Sequence, residues 1–180
     1  MVERVENLYF NYMKTLYLVR HAKSSWSLDQ VDDRDRPLKG RGIRDAHLVS
    51  TYVEELLPQN AHFKMFSSPA TRAVHTALIF AKNFQVPAAE VKMIDELYHA
   101  GVQTLRSHIA RTADHIDTAI YFAHNPGITD FVNDMTDAHI SNVPTTGLVC
   151  LRFDVASWRE IGPGAELITF EYPKRLKTKE

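Results

Sequence analysis

A chain of 180 residues that is 44% hydrophobic is long enough to bury a core without disulfide or metal support, and residues 13–172 read as a single domain. Its 21 Lys and Arg are interspersed with 22 Asp and Glu, for a formal net charge of −1. This argues against a nucleic-acid or membrane-surface partner. One cysteine, Cys150, excludes an intrachain disulfide, and no apolar run approaches the roughly 20 residues that span a bilayer, so a cytoplasmic protein is expected.

Residues 1–12 contain Glu6-Asn7-Leu8-Tyr9-Phe10, similar to a protease-recognition sequence without its glutamine, and are set apart as an N-terminal extension. The first predicted element is the apolar run Thr15-Leu16-Tyr17-Leu18-Val19, which closes abruptly on Arg20-His21. Such a run suits a strand covered on both faces, and ligands of open parallel sheets sit beyond the carboxyl ends of strands. The polar stretch 24–37, with Asp29, Asp32, Asp33, Arg34, Asp35 and Arg36, lacks apolar periodicity and reads as a surface loop at the rim of that strand exit. Apolar residues at three- and four-residue steps predict an amphipathic helix over 38–57, ended by Pro58.

A second strand is predicted over 62–67, followed by Ser68-Pro69-Ala70-Thr71-Arg72. Serine as N-cap with proline at the first helical position places Arg72 in the first turn of a helix, where free backbone N–H groups favour an anion. A third strand over 89–94 leads through Asp95-Glu96-Leu97-Tyr98-His99 to a helix over 102–111. A fourth strand over 118–123 ends in His124-Asn125-Pro126-Gly127, with a helix continuing through Met135. Strands at 148–153 and 167–172, separated by Gly162-Pro163-Gly164, close the chain as an antiparallel pair. The basic run from Lys174 to Lys179 makes 173–180 a solvated tail. Alternating strands and helices define a layered α/β domain.

Three strand-to-helix junctions therefore carry Arg20-His21, Arg72 and His124 to one edge of a parallel sheet. Guanidinium forks and helix N-termini match phosphate oxygens without a metal. An imidazole among fixed positive charges keeps a nitrogen lone pair free at neutral pH, and such a nitrogen can attack phosphorus.

Leu18-Val19-Arg20-His21-Ala22, Ser68-Pro69-Ala70-Thr71-Arg72-Ala73 with Thr76, Glu96-Leu97-Tyr98 and His124-Asn125-Pro126-Gly127 together resemble the histidine phosphatase superfamily, in its SixA-like phosphohistidine phosphatase branch. The resemblance implies a phosphoglycerate mutase-like, three-layer α/β/α sandwich with a mostly parallel central sheet. It also implies His21 as the phosphorylated nucleophile and Arg20, Arg72 and His124 as phosphate-binding residues. Glu96 is implied as general acid, with its neighbour Asp95 as the rival. Ala22 departs from the glycine that many members carry. No cofactor and no metal are implied, and the partner is a phosphorylated substrate, with phosphohistidine on another protein favoured. Small phosphate esters, or a non-catalytic phosphate-binding module, are the alternatives.

The remaining histidines form no metal-ligand pattern. His75, three residues after Arg72, and His99, just after Glu96, are the two candidates for the pocket rim. Cys150 reads as a small buried hydrophobe, and a cysteine-based phosphatase is disfavoured because Ala156 stands where its arginine would be. Trp26 and Trp158 read as packing residues.

Overall fold

The computed structural model describes residues 13–26, 31–57 and 62–178. The extension 1–12, Asp29 of the polar loop, Pro58 and Lys179 lie outside them. In chain order the elements are β1 (Lys14–Arg20), α1 (Gly40–Leu56), β2 (Phe63–Ser67), α2 (Thr71–Asn83), β3 (Val91–Met93), α3 (Val102–Ile109), β4 (Thr118–Ala123), α4 (Gly127–Met135), β5 (Leu148–Phe153), β6 (Glu166–Glu171) and α5 (Pro173–Leu176). The six strands form one sheet in the order β3-β2-β4-β1-β5-β6. The first four are mutually parallel, and β5 and β6 add an antiparallel edge.

Side chains alternate across a strand, and β1 is apolar on both sides. Leu16 and Leu18 join one core with Leu105 and Ile109 of α3 and Phe131, Val132 and Met135 of α4. Tyr17 and Val19 join the other with Ala46, Val49 and Val53 of α1 and Ala77 and Phe80 of α2. β4 divides in the same way, Tyr121 to the first core and Phe122 to the second. The result is a three-layer α/β/α sandwich, as expected. Cys150 is buried in the second core and Trp158 in the first, as expected of packing residues.

Register places the site. Arg20 pairs with Ala123, and Ser67 with Phe122, so β1, β4 and β2 end level with one another. Two glycines allow close backbone approach there. A Cβ on Gly127 would lie 1.8 Å from the Ala100 carbonyl oxygen, and one on Gly42 would lie 2.3 Å from that of Lys23.

The structure corrects two local expectations. α2 starts at Thr71 with Ala70 as N-cap and no side-chain cap; Ser68 is instead held by β4, its N–H donating to the Phe122 carbonyl. Arg72 nevertheless remains in the first turn. The basic tail is docked over its described part while its basic side chains stay exposed: Tyr172 caps α5 with Pro173 at its start, Leu176 is buried, and Lys177 Nζ lies 2.6 Å from Asp45 Oδ1. Asp45 is itself buried on α1, and a buried carboxylate requires such a partner.

Candidate active site

A cavity of about 280 Å³ opens beyond the ends of β1, β2 and β4, lined by Arg20, His21, Asp33, Arg72, His99 and His124 among others. A larger one, about 440 Å³, lies around His62, Lys64 and His115 at the opposite, amino end of the parallel strands. It gathers no comparable set of guanidiniums, so chemistry and not volume identifies the site.

His21 leaves β1 with its N–H donating to the Ala123 carbonyl, 3.1 Å away. Its Nδ1 lies 2.9 Å from the Ala22 carbonyl oxygen, which accepts only, so the proton sits on Nδ1. Nε2 then carries the lone pair, and Arg72 Nε donates to it at 3.4 Å. Burial is the largest influence lowering the His21 pKa to about 4; the Ala22 carbonyl works against it, and Arg72, Arg20 and Arg36 lower it further. The ring is neutral at physiological pH, though desolvation outweighs the neighbouring charges that suggested this from sequence. The departure at Ala22 is accommodated: the residue is fully buried, it has no positive φ, and its N–H donates to Thr76 Oγ1 at 2.9 Å.

Arg20 is held by the loop before β5, with Nη1 donating to the Val143 carbonyl at 2.8 Å. Arg72, 2% exposed, has its guanidinium against Asp33: Nη2 lies 2.8 Å from Oδ2, and Nη1 donates to the Asp33 main-chain oxygen. His124 stacks at an angle on His21, with ring centroids 5.1 Å apart, and its Nε2 lies 2.7 Å from Ser68 Oγ. Ser68 Oγ also accepts from the Ala70 N–H, and the Ser68–His124 hydrogen bond can run in either direction, with the imidazole tautomer deciding which group donates. Burial lowers the His124 pKa to about 3, with His21, Arg72 and His99 adding to it and Asp33 opposing. Among the described residues Arg20 Nε and Arg36 Nη1 are buried donors without a protein partner, and His124 Nδ1 is a buried ring nitrogen without one. All three belong to residues lining the cavity. Buried donors without acceptors are costly, and two guanidinium donors at one cavity suit an oxyanion.

Glu96 is not brought into this set. It is exposed and its charge acts on His108, away from the cavity. Asp95 pairs with Arg34 at the surface, 3.1 Å apart. Both sit on a one-turn 3-10 helix, Asp95–Leu97, in which Leu97 is the buried residue, and anchoring Leu97 turns the two carboxylates outward. The carboxylate in the cavity is Asp33. Partial burial works to raise its pKa, but hydrogen bonds from Tyr98 and Arg72, with the charges of Arg72 and Arg36, bring it down to about 2. Charge runs such as 32–36 gave no signal of which acid points inward.

His99 lines the cavity, and His75 does not; it lies instead in a groove with Ile43 and Leu78 between α1 and α2. One position later Thr76 faces the site, donating to the Arg72 carbonyl at 2.6 Å. Trp26 is no packing residue: it is 71% exposed at the cavity mouth, with the Arg36 guanidinium 3.4 Å above its ring. Among the described residues, no group of three or more His, Cys, Asp or Glu is placed to hold a metal ion. Nor is any helix long and apolar enough to cross a membrane.

The sequence profile of the histidine phosphatase superfamily (branch 1) matches residues 16–129. An uncharacterised protein of Mycobacterium tuberculosis is 32% identical, the alignment covering 87% of this chain and all of that protein. A crystal structure assigned as the phosphohistidine phosphatase SixA of Agrobacterium tumefaciens superposes with a TM-score of 0.72 at 26% identity, covering 89% of this chain and 98% of that one. The protein histidine phosphatase SixA complexed with tungstate gives a TM-score of 0.73 at 17% identity over 90% of this chain and 99% of that one, a likeness of fold.

Proposed function

The chain belongs to the histidine phosphatase superfamily, in its SixA-like branch, and from that premise we propose that this phosphatase forms a covalent phosphohistidine on His21 and takes protein phosphohistidine as substrate. The observation that carries the reading is the state of His21: Nδ1–H is fixed on a backbone carbonyl, and an unprotonated Nε2 stands beside Arg72.

In the first step Nε2 attacks phosphorus, the bond to the leaving group breaks, and the leaving group acquires a proton. In the second, water attacks the same phosphorus, the P–Nε2 bond breaks, its electron pair returns to the ring and inorganic phosphate departs. Arg20, Arg72 and His124 act as donors to the equatorial oxygens, where charge spreads in the transition state. These donors are fixed beforehand by Val143, Asp33 and Ser68, so little reorganisation accompanies transfer.

Leaving-group chemistry favours phosphohistidine over alkyl phosphate esters. An alkoxide needs a strong proton donor, whereas Asp33, the carboxylate in the cavity, is ionised with its pKa near 2, and Glu96 and Asp95 point elsewhere. A departing imidazole nitrogen is a better leaving group than an alkoxide and can take its proton from a weaker acid. With the single buried Cys150 thiol and no disulfide, the cytoplasm is the compartment proposed.

The test is a comparison of phosphate release from a histidine-phosphorylated protein, a serine-phosphorylated peptide and p-nitrophenyl phosphate, by wild type and His21→Ala. Release from the phosphohistidine protein well above that from phosphoserine, lost in the variant, is expected. Preferential hydrolysis of phosphoserine would replace the substrate assignment with an ester. Release by the variant at the wild-type rate would remove the nucleophile assignment.

A further inference from the structure

The reaction just described needs a proton for the departing nitrogen and later a place for a proton from water; Glu96 and Asp95, the carboxylates expected to handle them, are outside the cavity, and Asp33 within it is held ionised. Of the two further titratable side chains that line the cavity, Lys23 and His99, it is His99 that pairs with Asp33. We infer that His99, paired with Asp33, is the acid and base of the reaction. It protonates the leaving nitrogen during transfer to His21 and then deprotonates the water that hydrolyses the phosphoenzyme. This inference rests on the phosphatase reading given above.

Four observations place His99 in this role. It lines the same cavity as His21 and Arg72. Its ring centroid is 5.3 Å from that of His124, which in turn is 5.1 Å from that of His21, so one imidazole touches both the nucleophile and the inferred acid. Its Nε2 is 3.5 Å from Asp33 Oδ2, and its side chain remains 55% exposed, open toward an arriving leaving group. Finally, its backbone is left-handed, with φ of 52°. That conformation is uncommon for a residue with a Cβ, and such strain clusters where geometry serves a site.

Asp33 accepts from Tyr98 Oη at 2.8 Å as well as from Arg72, so it is pinned in place to receive His99. The charged and titratable groups facing His99 are Asp33, with Arg72 and Arg36 bound to it, Tyr98 beside it and His124 from the end of β4.

The proton inventory closes. His99 begins as imidazolium, with Nε2–H toward Asp33 and the other proton on Nδ1. As the substrate P–N bond breaks and P–Nε2 of His21 forms, the Nδ1 proton passes to the leaving nitrogen, leaving His99 neutral with a free lone pair. Water then attacks phosphorus, its proton goes to that lone pair, P–Nε2 breaks and His99 is imidazolium again. A carboxylate in the Asp33 position orients the ring as in other acid–imidazole pairs.

His99→Asn is the variant of choice, because asparagine tolerates positive φ. Its kcat/KM is measured against wild type on a histidine-phosphorylated protein and on aryl phosphates of graded leaving-group basicity, with and without added imidazole. The expected loss is about 10²-fold for the most basic leaving groups, shrinking steadily toward p-nitrophenyl phosphate. Free imidazole restores part of it, and decay of the phosphoenzyme in a single turnover slows as well. Losses equal across the series, or no loss, would overturn the role of His99 while acid-labile label on His21 still forms. Absence of that label in wild type would overturn the underlying reading instead.

Discussion

The cavity has two walls built on different principles. The inner wall, Arg20, His21, Arg72 and His124, stands at the carboxyl ends of β1, β2 and β4, where ladder register aligns the strand exits and the first turn of α2 carries Arg72. His21 and His124 are 9% and 3% exposed and Arg72 is 2% exposed. The outer wall, Trp26, Asp33, Arg36 and His99, is carried on loops and held by ion pairs around a single carboxylate. The inner wall is rigid, neutral at its imidazoles and rich in donors. The outer wall is partly exposed and holds the groups that exchange protons. Chemistry that must not move is placed on strands, and chemistry that must meet a varied or bulky partner is placed on loops.

Five substitutions and one change of pH probe this division, beginning with the inner wall. His21→Ala removes the attacking nitrogen, and kcat should fall on the order of 10⁴-fold or more, with loss of acid-labile labelling and an unchanged circular dichroism spectrum. Arg72→Lys should lower kcat/KM by about 10²- to 10³-fold, despite retaining the charge, because an ammonium cannot reach Asp33 and the phosphoryl group with a planar fork. Steady-state kinetics on p-nitrophenyl phosphate measures it, and a loss below tenfold would mean that charge alone suffices.

The inner wall should also set the pH dependence of stability. His21 and His124 resist protonation in the fold down to about 4 and about 3, whereas the unfolded chain takes up these protons below about 6.5. The unfolded state therefore binds more protons in that window, and stability declines as pH falls from about 6.5 toward 3. Thermal melts at pH 7 and pH 5 should show a drop in Tm that His124→Asn reduces. Asp33→Asn should leave that drop intact, since a carboxyl with its pKa lowered to about 2 contributes stability above about 4 and loses it only as pH falls below that. The smallest effect belongs to Glu96→Gln, expected to change kcat by less than about threefold. A tenfold fall would return Glu96 to the reaction and move the acid off the outer wall.

The same division governs how much the bare sequence revealed. Strand exits are legible because an apolar run ending in Arg20-His21, or in His124 before Pro126, marks both the strand and its edge. Arg72 was legible for a related reason, although α2 begins at Thr71 and Ser68 serves His124 in place of capping the helix. The outer wall was not legible. Nothing local distinguishes Asp33 from Asp32 or Asp35, or decides whether Glu96 or His99 turns inward. Those choices follow from the burial of Leu97, the left-handed backbone at His99 and ion pairs with residues far along the chain. The docked tail was hidden in the same way, because the partner of Lys177 is the buried Asp45, 132 residues earlier.

Trapping the covalent intermediate tests the central claim most directly. The protein is mixed with a histidine-phosphorylated protein, quenched in alkali within a single turnover and sequenced by mass spectrometry. One acid-labile phosphate is expected, on His21, that appears and decays at the rate of phosphate release and is absent from His21→Ala. Phosphate release at full rate with His21 unmodified throughout, or with the label on another residue, would contradict it.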